Sequence, residues 1–263
     1  MTAPDLAEVL DLMHEIAPLE LAAEWDNVGL LLRPDTSRGQ VAKCLLTIDL
    51  TDAVVAEAVG FGADLVIAYH PPIFQGLKRL DAADATQGRV VRALLAGFPV
   101  YTPHTALDAA PGGLADWLLE GAVGDVVPSA VHAVGDGYGR FAELSKPIAW
   151  SALVERLKEQ FGVEHLQVAR PAKAPSKVRS IAVAAGAGSG ALRGVPAEVF
   201  VTGEMSHHDA LAAVAAGTSV VLAGHSNTER GFLRVLGKRL SAEFGKDLKV
   251  RVAKADRDPL RVV

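Results

Sequence analysis

Four stretches of the chain place imidazoles and carboxylates where they could do chemistry together. In "VIAYHPPIF", residues 66–74, an apolar run ends on Tyr69 and His70 before two prolines. "YTPHTALDAAPGG" sets His104 and Asp108 four apart, and "SVVLAGHSNTERGF" sets His225 and Glu229 four apart, each after another apolar run. "VFVTGEMSHHDALAA" adds Glu204, His207, His208 and Asp209. Nitrogen and oxygen donors without thiolate suit Zn, Mn, Fe, Co or Ni rather than calcium or an iron–sulfur cluster. A carboxylate shared by two ions about 3.5 to 4 Å apart is the usual device of metal-assisted hydrolysis.

Taken singly, each stretch has a plainer explanation. A strand-end histidine can simply bond a loop, and Thr102, Thr105 and Asp108 would stabilise a turn around His104. Ser226 with Glu229, and Ser206 with Asp209, match capping boxes at helix starts. Adjacent histidines on a helix point about 100° apart, so at most one of His207 and His208 readily shares a given site. The weight comes from the sum: three separate strand ends each deliver an imidazole and two add a carboxylate, giving His70, His104, Asp108, His225 and Glu229. His14, His132 and His165 lie in ordinary helix, loop and strand contexts.

The elements that must position these groups alternate short apolar runs with helix-length amphipathic segments, the pattern of an α/β fold with a parallel or mixed sheet covered by helices. Strands are expected at "VAKCLLTIDL", "DLVIAY", "FPVYT", "HLQVA", "VRSIAVAA", "AEVFVTG", "SVVLAG" and "LKVRVA". Helices are expected over 4–16, 51–60, 84–96, 112–121, 150–161, 206–216 and 227–244. "VGDGYGR" (134–140) reads as a hairpin turn and "RPAKAPSKVRS" (170–180) as a proline-bearing connector. The expected organisation is one domain over 1–263 with lobes near 1–125 and 170–263, joined by 126–169. In sheets of this kind ligands gather beyond the carboxyl ends of the strands, where these histidines fall. "IAVAAGAGSGALR" fits G-x-G-x-x-A at Gly186, Gly188 and Ala191, yet no strand-end acid follows about 20 positions on, so a tight turn approaching a phosphate is the better reading than a dinucleotide site.

Composition narrows the partners. With 263 residues, half of them hydrophobic, a sizeable core is easily built. No apolar run reaches the roughly 18 to 20 residues of a membrane span, and the acidic N-terminus is unlike a secretory or transit peptide, so the expected location is the cytoplasm. Cys44 is the only cysteine, which excludes an internal disulfide and a thiolate-clustered zinc site. A net charge of -5 with no basic cluster gives little footing for nucleic acid and favours a small-molecule or protein partner.

"EWDNVGLLL", "HPPIF", "HTALDAAPGG", "TGEMSHHDALAA" and "GHSNTER", in this order over nearly the whole chain, resemble the NIF-three-like family, whose members often carry the name GTP cyclohydrolase I type 2. The chain looks like the short members without a middle insertion. The resemblance implies mixed sheets flanked by helices in two similar lobes, a metal cleft between them, and a homohexamer. It implies one or two divalent ions per chain held by His70, Asp108, His225 and a bridging Glu229, with Tyr69, His104 or His208 moving protons for hydrolysis of a nucleotide-like substrate. It also allows a non-catalytic metal-binding or regulatory protein. The chain departs from the family's His-His-Pro at Tyr69, and a phenol, with its ordinary pKa of about 10, ligates poorly unless ionised.

Overall fold

The computed structural model describes residues 2–35 and 39–260. Two short 3-10 turns aside, the chain runs α1 (Leu6–Ile16), β1 (Gly29–Leu32), β2 (Lys43–Thr47), α2 (Asp52–Phe61), β3 (Leu65–Ala68), α3 (Gln87–Ala96), β4 (Val100–Thr102), α4 (His104–Ala109) and α5 (Leu114–Val123). It continues through β5 (Pro128–Val134), β6 (Gly139–Ala149), α6 (Trp150–Phe161), β7 (Gln167–Ala169), β8 (Lys177–Ala184), α7 (Ser189–Leu192), β9 (Val199–Thr202), α8 (His207–Ala215) and β10 (Ser219–Leu222). The last elements are α9 (Asn227–Arg230), α10 (Phe232–Phe244) and β11 (Lys249–Val252). Every expected strand and helix forms within a few residues of its expected bounds, as the α/β reading requires. The helix expected over 227–244 is split at Gly231, where a β-carbon would lie 2.6 Å from the Trp117 ring.

Two compact units divide the chain, Met1–Leu107 with Phe232–Arg257, and Asp108–Gly231 with Asp258–Val263. The division between the units falls inside α4, and the chain returns to the first unit for α10 and β11. The first unit holds a five-stranded sheet ordered β1-β4-β3-β2-β11, parallel except for β1. The second holds a six-stranded sheet ordered β5-β6-β8-β9-β10-β7, in which β8, β9 and β10 run parallel. Segment 126–169 supplies β5, β6, α6 and β7 to the second unit.

The central parallel strands are buried along nearly their whole length, which is why they read as apolar runs rather than alternations. Leu45, Val54, Phe61, Val66 and Phe98 centre the first core, and Leu118, Leu153, Leu157, Ile181 and Val221 the second. Helix signals are local: Asp5 and Glu8 close a capping box on α1, Thr51 Oγ1 accepts from Val54 N at 3.3 Å, and Gly62 ends α2 at φ +67°. Among the described residues no helix is long and apolar enough to cross a membrane.

Candidate metal centre

In the first unit β2, β3 and β4 are parallel neighbours, so the chain just past their carboxyl ends brings Asp49, Tyr69 with His70, and His104 to one edge of the sheet. β1 runs antiparallel to β4 with Gly29 opposite Thr102, so the residues preceding it, Trp25 and Asp26, reach that same edge. Two imidazoles are held there by carboxylates. His70 Nδ1 lies 3.0 Å from Asp49 Oδ1, and His104 Nδ1 lies 2.8 Å from Asp26 Oδ1. A carboxylate only accepts, so each Nδ1 carries the proton it donates, and the carboxylate fixes the orientation of the ring.

Asp26 is the organiser of this edge. Its side chain has no exposed surface and also accepts from Asn27 N at 2.8 Å, from Thr105 N at 3.1 Å, and from the Thr105 hydroxyl. Burial alone would push the carboxyl up; the hydrogen bonds from His104 and Thr105 and the positive character of His104 outweigh it and hold the group below the usual carboxylate range. His104 starts α4 at φ +28°, a conformation rarely taken by a residue with a side chain. Strain of that kind gathers where the surroundings over-determine a residue, often at functional sites. His104 is also the hub of four rings, with centroids of Tyr69 and His70 each at 5.4 Å, Trp25 at 6.2 Å and Phe74 at 6.4 Å. Tyr69 itself is buried, its ring 5.0 Å from that of His70.

The second unit repeats the device. Past the carboxyl ends of β8, β9 and β10 stand Gly186, Glu204 and His225. His225 Nδ1 lies 2.9 Å from Glu204 Oε1, and its Nε2 lies 3.3 Å from the buried Glu229 Oε1. His225 thus stands between two carboxylates, Nδ1 toward Glu204 and Nε2 toward Glu229, and a cation at Nε2 would share the Glu229 oxygen with the ring. Gly186, at φ +53°, keeps the approach open, because a β-carbon there would lie 2.7 Å from Glu229 Oε1 and 2.8 Å from His225 Nε2. Imidazole nitrogen, buried carboxylate and an uncluttered approach fit a divalent cation.

Several sequence expectations change here. Ser206 does cap α8, accepting from Asp209 N at 3.1 Å, but Ser226 makes no side-chain cap, so Glu229 turns to His225 instead of closing a capping box. The Gly186–Gly188 turn does not present its amides to a phosphate: Gly186 N donates to Thr228 Oγ1 at 2.9 Å and Gly188 N to Thr202 Oγ1 at 3.1 Å. Asp108 is buried in α4, four residues from His104. The carbonyl that follows it, of Ala109, accepts from Arg140, whose buried guanidinium also bonds Gly137 O at 2.7 Å and Asp116. His208 is exposed on α8 with its ring 5.6 Å from that of His207. The sequence reading gave no role to Asp26, Asp49, Glu204 or Arg140. Asp49 and Glu204 lie just past the ends of β2 and β9, but nothing local in the sequence pairs any of these acids with its histidine.

The family described as Duf34/NIF3 (NGG1p interacting factor 3) matches residues 4–259. The chain is 42% identical over 255 residues to "Protein NIF3 homolog" of Schizosaccharomyces pombe, covering 92% of each. Its fold is similar to that of a Bacillus cereus protein related to NIF3, with TM-score 0.82, 20% identity and all of both chains covered. It is similar too to reduced HcgD from Methanocaldococcus jannaschii, with TM-score 0.84, 22% identity, and coverage of 95% of this chain and 98% of that one.

Proposed function

From the premise that the chain belongs to the Duf34/NIF3 family, we propose that it is a metal-dependent hydrolase acting on a nucleotide-like substrate, with GTP the first compound to test. The observation that carries the reading is the repeated pairing of an imidazole Nδ1 with a carboxylate, at His70, His104 and His225, the support that metal-ligating histidines characteristically have. We assign His70, His225 and Glu229 to one divalent ion, with Asp108 as a further ligand. When bound, such an ion supplies a Lewis acid that activates water for hydrolysis. Asp49 and Glu204 fix the tautomer and ring orientation of their histidines.

His104, outside that ligand set, is a proton carrier in this reading, with Asp26 fixing its Nδ1 so that Nε2 exchanges the proton. Tyr69, packed against both rings, is the second carrier and the residue that stands where relatives have a histidine. His208, exposed beside His207, is given no part. The same reading places the protein in the cytoplasm as a homo-oligomer, with a hexamer the expected form. A second reading, a non-catalytic metal-binding or regulatory protein, is favoured by one observation, the buried phenol of Tyr69 in place of an imidazole. Metal content and GTP turnover measured on the same preparation separate the two. The hydrolase reading expects a bound ion, turnover that chelation abolishes, and recovery when the ion is returned. A bound ion without turnover of GTP or related nucleotides supports the second reading, and absence of any bound ion contradicts both.

A further inference from the structure

We propose that Trp25 and Phe74 form a stacking wall for the purine ring of a nucleotide. Single exposed apolar side chains need no explanation, but these are two large rings side by side, 63% and 48% exposed, with centroids 5.9 Å apart. They come from segments far apart in sequence that are tied together, since Asn27 donates through Nδ2 to the carbonyl of Ile73 and through its backbone N–H to Asp26 at 2.8 Å. The rings are therefore presented on a fixed frame rather than on loose loops. Aromatic side chains held this way offer contact area at little entropic cost.

The geometry limits how a ligand sits. A planar base inserted between two rings needs them roughly 7 Å apart, twice the van der Waals contact distance. The 5.9 Å spacing and 58° tilt exclude that sandwich, so the base lies on the outer faces. Both rings stand edge-on to His104, at interplanar angles of 76° and 77°. A purine on the wall is thus brought beside the imidazole whose Nδ1 is held by Asp26. Every base has a π-face, so the wall selects a planar heterocycle and leaves the sugar and phosphates to other groups.

The choice of a purine rests on the nucleotide reading above, but the wall owes nothing to the metal, and the experiment uses that separation. In metal-stripped full-length protein, guanosine monophosphate should quench the Trp25 fluorescence saturably while ribose 5-phosphate does not. By calorimetry, affinity for guanosine monophosphate should fall about tenfold or more in Trp25→Ala and in Phe74→Ala, and survive in Trp25→Phe, which keeps a ring. Unchanged affinity in both alanine variants, or no binding by the parent protein, overturns the wall. Quenching that follows protein concentration instead of nucleotide means a second copy covers these rings, and also overturns it. Nucleotide binding without turnover in metal-loaded protein would count against the hydrolase reading and leave the wall standing.

Discussion

Glu204 and Glu229 bracket one imidazole: Glu204 Oε1 lies 2.9 Å from Nδ1 of His225, and Glu229 Oε1 lies 3.3 Å from its Nε2. The first carboxylate is exposed and the second is buried, so the pair is polarised from solvent toward the interior. The exposed one orients the ring, and the buried one faces the nitrogen on its other side.

That division of labour is measurable. Glu204→Ala removes the orienting bond without opening the core, and should weaken metal affinity about 10- to 100-fold with little change in thermal stability. His225→Ala should abolish binding at this position. Titration of apo-protein with Zn by calorimetry reads both, and equal affinity in the parent and Glu204→Ala would remove the orienting role.

Gly186→Ala should damage the same pair from the other side. The added β-carbon meets Glu229 Oε1 at 2.7 Å and His225 Nε2 at 2.8 Å, and the positive φ strains any L side chain. We expect loss of bound metal together with more than about 1 kcal/mol of stability, read by metal analysis and by urea unfolding.

Asp26 gives a pH signature. Its carboxyl is held below its ordinary value in the folded protein. It therefore contributes stability that is fully present above about pH 4, the unfolded value, and lost as pH falls through the folded value. Asp26→Asn should flatten the acid limb of a melting-temperature profile below about pH 4 and lower stability at pH 7, because a side chain accepting four bonds is replaced by one that can accept fewer. An acid limb identical to that of the parent would show that Asp26 does not carry this dependence.

Much of the fold was legible because its signals are local or periodic. Buried parallel strands such as Leu65–Ala68 and Val199–Thr202 stand out as apolar runs between glycines and polar clusters. The hairpin β5–β6 reads in sequence only as a turn, since Pro128 opens β5 and Pro147 lies within β6, where the register shifts between Glu143 and Ile148. β1 was missed because a four-residue strand beginning at a positive-φ glycine carries no alternation. Of the candidate site, the strand-end histidines were readable one by one. Their carboxylate partners were not, since Asp26 meets His104 across 78 positions and Asp49 meets His70 across 21, through strand order that no local pattern encodes.

Tyr69 stands where the His-His-Pro motif of the resemblance calls for a histidine. Restoring an imidazole with Tyr69→His should raise bound metal from about one tightly held ion per chain toward two, because a neutral imidazole ligates without losing a proton and a phenol does not. Metal analysis after gel filtration measures it. Equal stoichiometry in the parent and the variant would make the substitution silent.

The central claim, a metal held by His70, His225 and Glu229, is tested most directly by anomalous scattering from crystals grown with Zn. A peak is expected about 2.0 to 2.2 Å from Nε2 of both histidines and from a Glu229 oxygen, with Nδ1 of each ring still on Asp49 and Glu204. No peak at these atoms, or one confined to surface histidines such as His207 and His208, would contradict it.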